Sequence, residues 1–412
     1  MFNRFTKYLV RMWGFEKYLV QLKDNRSFRQ IPTSNIWLSI VGMFATRLAS
    51  INELEQHLQI PFRWERLIGE RKPTADSIAY CLDRFNINIL RNILADIGCK
   101  FKRKKIFKRT YPDVHWVAAI DGIEIYKSRK RCCSKCCSRE IPVKDGTVTE
   151  YYHRYVALQM VGVIPALILD IEQVRKGETE VAAGVRMLKR FKKKMPRFID
   201  VITLDALYLQ APFVREVLKL GYGLVIVLKQ ENRELYRDAD KLFQITPSVK
   251  STDSATTISI QDIEGLTSWK QLDGSTRVVR SFEKKTKRER IAGKWTEREI
   301  KEDWRWTVIF PDNSKPPADL VKQWGHARWD EETRGFGELT QYWNLNHCYR
   351  HHPNAMLALL ITLFITFALT TVFFQRNLKS PMRIGKTRLH LARLLNDDFV
   401  FPGIKSFWPC PP

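Results

Sequence analysis

The chain runs to 412 residues, long enough for two or three domains and a sizeable core, which excludes a peptide or a small stapled scaffold. It carries 69 Lys and Arg against 44 Asp and Glu, a net charge of +25, and such a surplus calls for a polyanionic partner, either nucleic acid or an anionic membrane surface. Aromatic residues make up 12%, and Trp295, Trp304 and Trp306 lie among charges, a mixture that suits DNA grooves and unstacked bases as well as an ordinary core. Met1 to Leu22 alternates apolar and basic residues without a continuous apolar run, so a cytoplasmic protein is expected. Its eight cysteines are then expected to be reduced rather than arranged in a disulfide framework.

Residues 1–112 read as a helical, basic region. Ser34 to Leu58 has apolar residues at helical spacing, among them Ile36, Ile40, Met43, Phe44 and Leu48. A second pattern starts after Pro73, with Thr74 placed as an N-cap, and runs through Ile78, Leu82 and Phe85. It breaks at Asn86-Ile87-Asn88 and resumes with Leu90, Ile93, Leu94 and Ile97. Two helices joined by a tight turn suit a helix-turn-helix DNA reader, and an ordinary helical bundle has equal claim. Lys100 to Arg109 then holds seven Lys or Arg in ten positions. It is either a linker that tracks phosphates, through Lys102, Arg103, Lys104 and Lys105, or a merely solvated run.

From His115 the pattern turns to strands. His115–Gly122 is an apolar strand ending in Asp121, Tyr151–Val161 alternates, and Val163–Ile171 is a further apolar run. Glu178 to Lys194 reads as a helix and Phe198 to Leu204 as a buried strand ending in Asp205. A helix from Pro212 to Leu220 and a strand at Leu224–Leu228 follow. This order belongs to an α/β sheet with helices on its faces. Ile245 to Thr257 is rich in Ser and Thr and reads as a loop. Short strand pieces, Thr276–Phe282 and Trp304–Phe310, flank a very basic stretch from Lys284 to Arg298, giving a β-rich insertion over 241–317. Helix resumes after Pro317.

Carboxylates that close buried strands emerge at the carboxyl edge of a sheet, where α/β folds place their sites. Asp121 and Asp205 fit that description. Each alone is as well explained as a cap or turn residue, but two acids on neighbouring strands repel unless a cation lies between them. Hard divalent ions favour such oxygen ligands. A two-metal centre needs a third acid. The helical stretch Gly325 to Asn344 offers Glu332, four residues after Arg328 and on the same helix face, with Glu331 as its nearest rival and a surface ion pair as the plain alternative.

Ala119-Ile120-Asp121-Gly122, Gly177-Glu178-Thr179-Glu180, Leu204-Asp205-Ala206-Leu207-Tyr208, Val227-Leu228-Lys229-Gln230 and Ala327-Arg328-Trp329-Asp330-Glu331-Glu332 together resemble the DDE transposases of bacterial insertion sequences. The last piece, with Gly335-Phe336-Gly337-Glu338-Leu339 after it, is similar to the subgroup whose third acid lies in a Tyr, Arg, Glu, Lys signature. The resemblance implies that Asp121, Asp205 and Glu332 bind Mg²⁺ or Mn²⁺, and that Arg328 contacts the transposon end. It implies double-stranded DNA as partner, a homodimer in the active complex, no membrane, and a bacterial, nucleoid-associated location. The acids are separated by 84 and 127 residues, and the second interval leaves room for the β-rich insertion.

Two features stand apart. Cys133 and Cys136 in Cys132-Cys133-Ser134-Lys135-Cys136-Cys137 have the spacing of a zinc half-site, with His153 the nearest further donor; a mobile hairpin tip is the other reading. Ala355 to Phe374 is twenty residues without a charge, long enough to span a bilayer. Thr362, Thr366 and Thr370, four apart, give it one mildly polar face and favour a buried helix instead.

The expected architecture is an α/β, RNase H-like catalytic core in two parts, 113–240 and 318–380, with the β-rich insertion between them. An N-terminal all-α DNA-binding region precedes it, and 381–412 forms a basic tail. Trp304 and Trp306 are candidates for stacking on a flipped base. The expected chemistry is phosphoryl transfer on DNA without a covalent enzyme intermediate. A catalytically inactive DNA-binding relative and a membrane-anchored protein are the rival readings.

Overall fold

The structure is a computed structural model that describes residues 1–60, 64–144, 146–231, 233–253, 256–291 and 294–400. Five strands make the heart of the sheet: β1 (Val117–Ser128), β2 (Gly146–Met160), β3 (Leu167–Gln173), β4 (Val201–Leu204) and β5 (Gly223–Val227). They lie in the order β3-β2-β1-β4-β5, with β1 antiparallel to β2, β2 antiparallel to β3, and β1, β4 and β5 parallel. Parallel neighbours need crossovers, and the helices Glu180–Lys194 and Ala211–Lys219 supply them on either side of β4. Three antiparallel strands followed by two parallel ones in this order are an RNase H-like core.

The crossover helix Glu180–Lys194 shows why the sequence folds this way. Thr179 accepts a hydrogen bond from the Ala182 N–H at 3.2 Å, Glu180 lies in the first turn, and Lys192, Lys193 and Lys194 in the last turn complement the helix dipole. Val181, Met187, Leu188 and Phe191 bury one face.

The insertion lengthens the same sheet. Strands β6 (Val249–Asp253), β7 (Thr256–Leu266), β8 (Thr276–Ile291) and β9 (Lys294–Ile309) follow β5, with β9 pairing antiparallel to β5. Two expectations are corrected here. The Ser- and Thr-rich stretch taken as a loop contains β6, which pairs with β7 from Val249 to Asp253; residues 254 and 255 lie outside the described residues. The basic stretch from Lys284 is not a break between short strands but the body of one long hairpin. Its charges are tolerated because they face solvent and pair across the ladder, as Arg288 does with Glu297 at 2.8 Å and Lys285 with Glu302 at 2.8 Å.

The N-terminal region is helical as expected, with Thr74 and Asn86 capping Ala75–Leu82 and Ile87–Arg103 through the N–H groups of Ser77 and Asn88. The helix-turn-helix reading asks for a second helix free to enter a groove. Ile87–Arg103 instead packs against β3 and the helix Pro353–Val372, and its Arg91 pairs with Asp170 at 3.3 Å. Lys100, Lys102 and Arg103 are its last turn rather than a linker, placed where cations complement the dipole. The proposed tail is also revised. Ser380–Arg383 and Arg388–Val400 are helices, Leu391, Ala392 and Leu395 are buried, and Arg388 pairs with Glu338; residues 401–412 lie outside the described residues.

The uncharged stretch is the helix Pro353–Val372, and 89% of its most apolar window is buried inside the protein. It packs against Thr33–Thr46, Ile87–Arg103 and β3. The Thr face is internal too: Thr366 and Thr370 donate to the carbonyls of Thr362 and Thr366 at 2.8 Å, and Thr362 Oγ1 accepts from Trp37 Nε1 at 2.9 Å. That last bond ties the N-terminal helices to the core. Thr362→Val keeps the shape but strands a buried indole N–H, so it is expected to destabilise the protein by about 1–3 kcal/mol. A urea unfolding midpoint unchanged from wild type would show that the bond contributes nothing.

Candidate active site

The parallel pairing of β1 with β4 runs Val117↔Val201 to Ile120↔Leu204, so the next residues on the two strands are Asp121 and Asp205. Asp205 closes its strand as expected. Asp121 does not: β1 continues to Ser128, and Asp121 lies in its middle, opposite Ala157 of β2. The sequence read as a strand end is the point where burial falls, because Val117 to Ile120 are buried and the next four residues are half-buried. By strand alternation Asp121 projects from the face that carries Val117 and Ala119, which Val321 and Trp324 of the helix Ala318–Ala327 cover.

Burial, and after it the charge of Asp205, hold the Asp121 carboxyl above its ordinary range; the Gly122 N–H and Arg328 oppose that rise. Asp205 Oδ1 is buried without a hydrogen-bond partner among the described residues, with Lys229 Nζ at 3.5 Å. Glu180 closes in from the crossover helix. It accepts from Tyr208 Oη at 2.8 Å, pairs with Arg154 at 2.8 Å, and is pushed up mainly by burial, with Asp121 and Asp205 adding to the rise. A Cβ on Gly122 would stand 2.1 Å from Glu180 Oε2, so only glycine lets this carboxylate approach β1. Glu180, Arg154 and Lys229 carried no assigned role in the sequence; the Gly-Glu-Thr-Glu and Val-Leu-Lys-Gln pieces were the available signal.

Arg328 is buried, and its Nη1 lies 3.6 Å from Asp121 Oδ2 and 3.7 Å from Glu332 Oε1. One guanidinium therefore joins the first and third acids, and its plane packs on Trp329 at 4.7 Å. Glu331 and Glu332 open a π-helical turn, Glu331–Phe336, a geometry common at functional sites. The two glutamates differ sharply. Asp121, Asp205 and Glu332 are 31%, 40% and 46% exposed, open to a substrate, whereas Glu331 is fully buried. Both Glu331 oxygens lack a hydrogen-bond partner among the described residues, and burial raises its carboxyl far above the ordinary range, with Asp121 adding to the effect.

Only the Arg and Glu of the four-residue signature are present. At the Tyr position, a Cβ on Gly325 would meet the Trp306 indole at 2.3 Å, so no larger side chain fits. Leu339, near the Lys position, is fully buried.

The other candidate DNA contacts divide by exposure. Arg103, Lys104 and Lys105 are exposed, but Lys102 donates to the Phe198 carbonyl, sits over Trp116 at 4.4 Å, and is lowered by burial to about 8. Trp306 is buried and stacked on the half-buried Trp304 at 6.2 Å, so it cannot receive a flipped base; Trp295, near the tip of the β8–β9 hairpin, is 70% exposed.

Residues 166–369 match the family model described as a transposase DDE domain, a span that includes Asp205 and Glu332 and begins after Asp121. No curated protein matches the chain. Among solved structures it is similar to a piggyBac transposase synaptic complex with hairpin DNA, determined by cryo-EM. The likeness has a TM-score of 0.42 at 14% identity and covers 94% of this chain and 76% of that one. The chain belongs to the family of transposases with a DDE domain.

Proposed function

We propose that Asp121, Asp205 and Glu332 form the catalytic centre of a DNA transposase that cleaves at the ends of an insertion sequence and joins them to target DNA. The observation that carries this reading is the convergence of three partly exposed carboxylates, Asp121 and Asp205 at equivalent positions on adjacent strands and Asp121 bridged to Glu332 by Arg328. The donor set suits hard divalent cations, Mg²⁺ or Mn²⁺, because it offers only oxygens and includes a buried Asp205 oxygen without a hydrogen bond. Such ions, when bound, supply activation of an attacking water or 3′-hydroxyl and stabilise charge on the leaving oxygen.

The remaining work belongs to the protein. Asp121 and Asp205 are fixed by paired strands, so their spacing does not depend on a loop. Arg328 offers donors beside both acids, and a planar guanidinium can grip a scissile phosphate with two parallel hydrogen bonds. Glu331, fully buried, has no path to a DNA phosphate and is read as a neutral acid beneath the site rather than a ligand. Exposed Arg103, Lys104 and Lys105 are proposed to hold the DNA backbone, and Trp295 is the exposed insertion tryptophan available for stacking. Two element ends call for two such centres, so the active form is proposed as a homodimer on DNA. The subgroup with the Tyr, Arg, Glu, Lys signature remains the proposed relation, carried by Arg328 and Glu332 alone.

Asp121→Ala, Asp205→Ala and Glu332→Ala are each expected to cut metal-dependent cleavage of a labelled element end by about 10²-fold or more while DNA binding persists. Glu331→Gln, which preserves a neutral side chain, is expected to cleave within about threefold of wild type. Normal cutting by Glu332→Ala together with inactive Glu331→Gln would transfer the third role to Glu331, and activity in all three alanine variants would remove the mechanism.

Arg328→Lys is expected to impair joining of the 3′-end more than the first nick, because holding the strand for a second reaction places the stricter demand on position. Equal loss in a side-by-side assay of both steps would take Arg328 out of that role.

Each phosphate neutralised by a side chain contributes about −0.9 to the slope of log affinity against log salt. Replacing Arg103, Lys104 and Lys105 together by Ala is therefore expected to flatten that slope by roughly 2–3 units. An unchanged slope would show that these residues are only solvated.

A further inference from the structure

The cysteine pair finds partners that lie far away in sequence. Cys133 and Cys136 stand in the connection between β1 and the strand Cys137–Val143, His153 is on β2, and His351 lies two residues ahead of the helix Pro353–Val372. Their donor atoms lie within 4.8 Å of one another. Cys133 Sγ to Cys136 Sγ is 3.8 Å, and His153 Nε2 to His351 Nε2 is 3.2 Å. Sulfur-to-nitrogen separations are 3.5 Å for Cys133–His153, 3.3 Å for Cys136–His153 and 3.4 Å for Cys136–His351.

These lengths can be compared with a tetrahedron built from ordinary zinc bonds, about 2.3 Å to sulfur and about 2.05 Å to nitrogen. Its edges are about 3.75 Å for S–S, about 3.55 Å for S–N and about 3.35 Å for N–N. The five measured edges fall within about 0.25 Å of those values. We propose that Cys133, Cys136, His153 and His351 form a structural zinc site, separate from the carboxylate centre.

The surroundings support a closed site. Cys136 and His153 are buried, Cys133 and His351 half-buried, and four protein donors complete the tetrahedral shell of a structural zinc. The Cys133 N–H donates to Cys136 Sγ at 3.3 Å, closing the turn around the thiols. His153 Nδ1 lies 3.1 Å from the Gln173 side-chain amide nitrogen, a contact that holds the ring with Nε2 toward the cluster; a metal on Nε2 would put the ring proton on Nδ1 and call for the amide oxygen there. Cys132, Cys137 and Cys348 are not among the four donors. Two thiolates and two imidazoles are soft to borderline ligands, a set that selects zinc over the hard ions suited to the acids.

The test is metal analysis of the full-length protein, purified under reducing conditions without chelator. About one zinc per chain is expected, together with the absorption of tetrahedral, thiolate-ligated Co²⁺ after exchange. Cys136→Ser and His351→Ala are expected to lose the metal, whereas Cys132→Ser and Cys348→Ser retain it. The double variant Asp121→Asn, Asp205→Asn is also expected to retain zinc, which separates this site from the catalytic reading. Wild-type protein that holds no zinc and takes up none from a Zn²⁺ buffer would overturn the proposal. So would undiminished zinc in both Cys136→Ser and His351→Ala. Should those variants fail to fold, the Co²⁺ spectrum of wild type decides alone, since absence of thiolate ligation overturns the site.

Discussion

Everything at the candidate centre depends on the register between β1 and β4. Four consecutive parallel pairs, ending in Ile120 and Leu204, set Asp121 and Asp205 at equivalent positions on adjacent strands. Because side chains alternate across a strand, a slip of one residue would turn Asp121 into the other face, toward the apolar layer that holds Ala118 and Ile120. The register is protected by what lies on both sides of it. Val117, Ala119, Val201 and Val225 pack under Trp324, while Ala118, Ile120, Ile202 and Leu204 join the larger core on the opposite side. Sheet packing is thus the means by which two repelling charges are held together.

That repulsion has to be balanced, and the chain does so with few cations close by. Arg328 lies beside Asp121 and Glu332, Lys229 approaches Asp205, and Arg154 takes Glu180. Glu331 has no such partner among the described residues, and the direction of its shift is toward the neutral form. A buried neutral acid costs far less than a buried charge. The arrangement leaves net negative character on the exposed carboxylates within a chain of net charge +25. DNA is then drawn to the surrounding surface, and divalent cations to the acids.

Much of the core was legible in the sequence because its signals are local. The buried run that stops before Asp121, the buried strand that ends before Asp205, a capped helix from Thr179, and the four-residue step from Arg328 to Glu332 all sit within short windows. The readings that failed depend on contacts between distant segments. Charge hid the length of β8 and β9, of which only Thr276–Phe282 and Trp304–Phe310 read as strand, since a solvent-facing hairpin needs no apolar pattern. Ile87–Arg103 looked like half of a DNA reader because periodicity reveals an apolar face but not what covers it; here β3 and the helix Pro353–Val372 do. Trp306 looked available among charges, yet the chain folds Gly325 and Trp304 against it. His351 lies 198 residues from His153, beyond any spacing rule.

The two proposed metal centres are linked through one ladder. Asp121 pairs with Ala157 and Tyr126 pairs with His153, five residues along β1 but four along β2, so the zinc ligand stands roughly 13–17 Å from the acid on the same two strands. Between them the ladder shifts register at Glu124–Tyr126, a bulge where an antiparallel pair is most easily distorted. A zinc ion at the far end would pin the β1–β2 pair beyond that bulge. Through His351 it would also anchor the segment that joins the Glu332 turn to the central helix. Hard and soft ligands would thereby be segregated: oxygen donors on the partly exposed carboxylates, sulfur and nitrogen donors in a cluster of which Cys136 and His153 are buried. Exchange of metal between them is disfavoured by ligand chemistry rather than by distance.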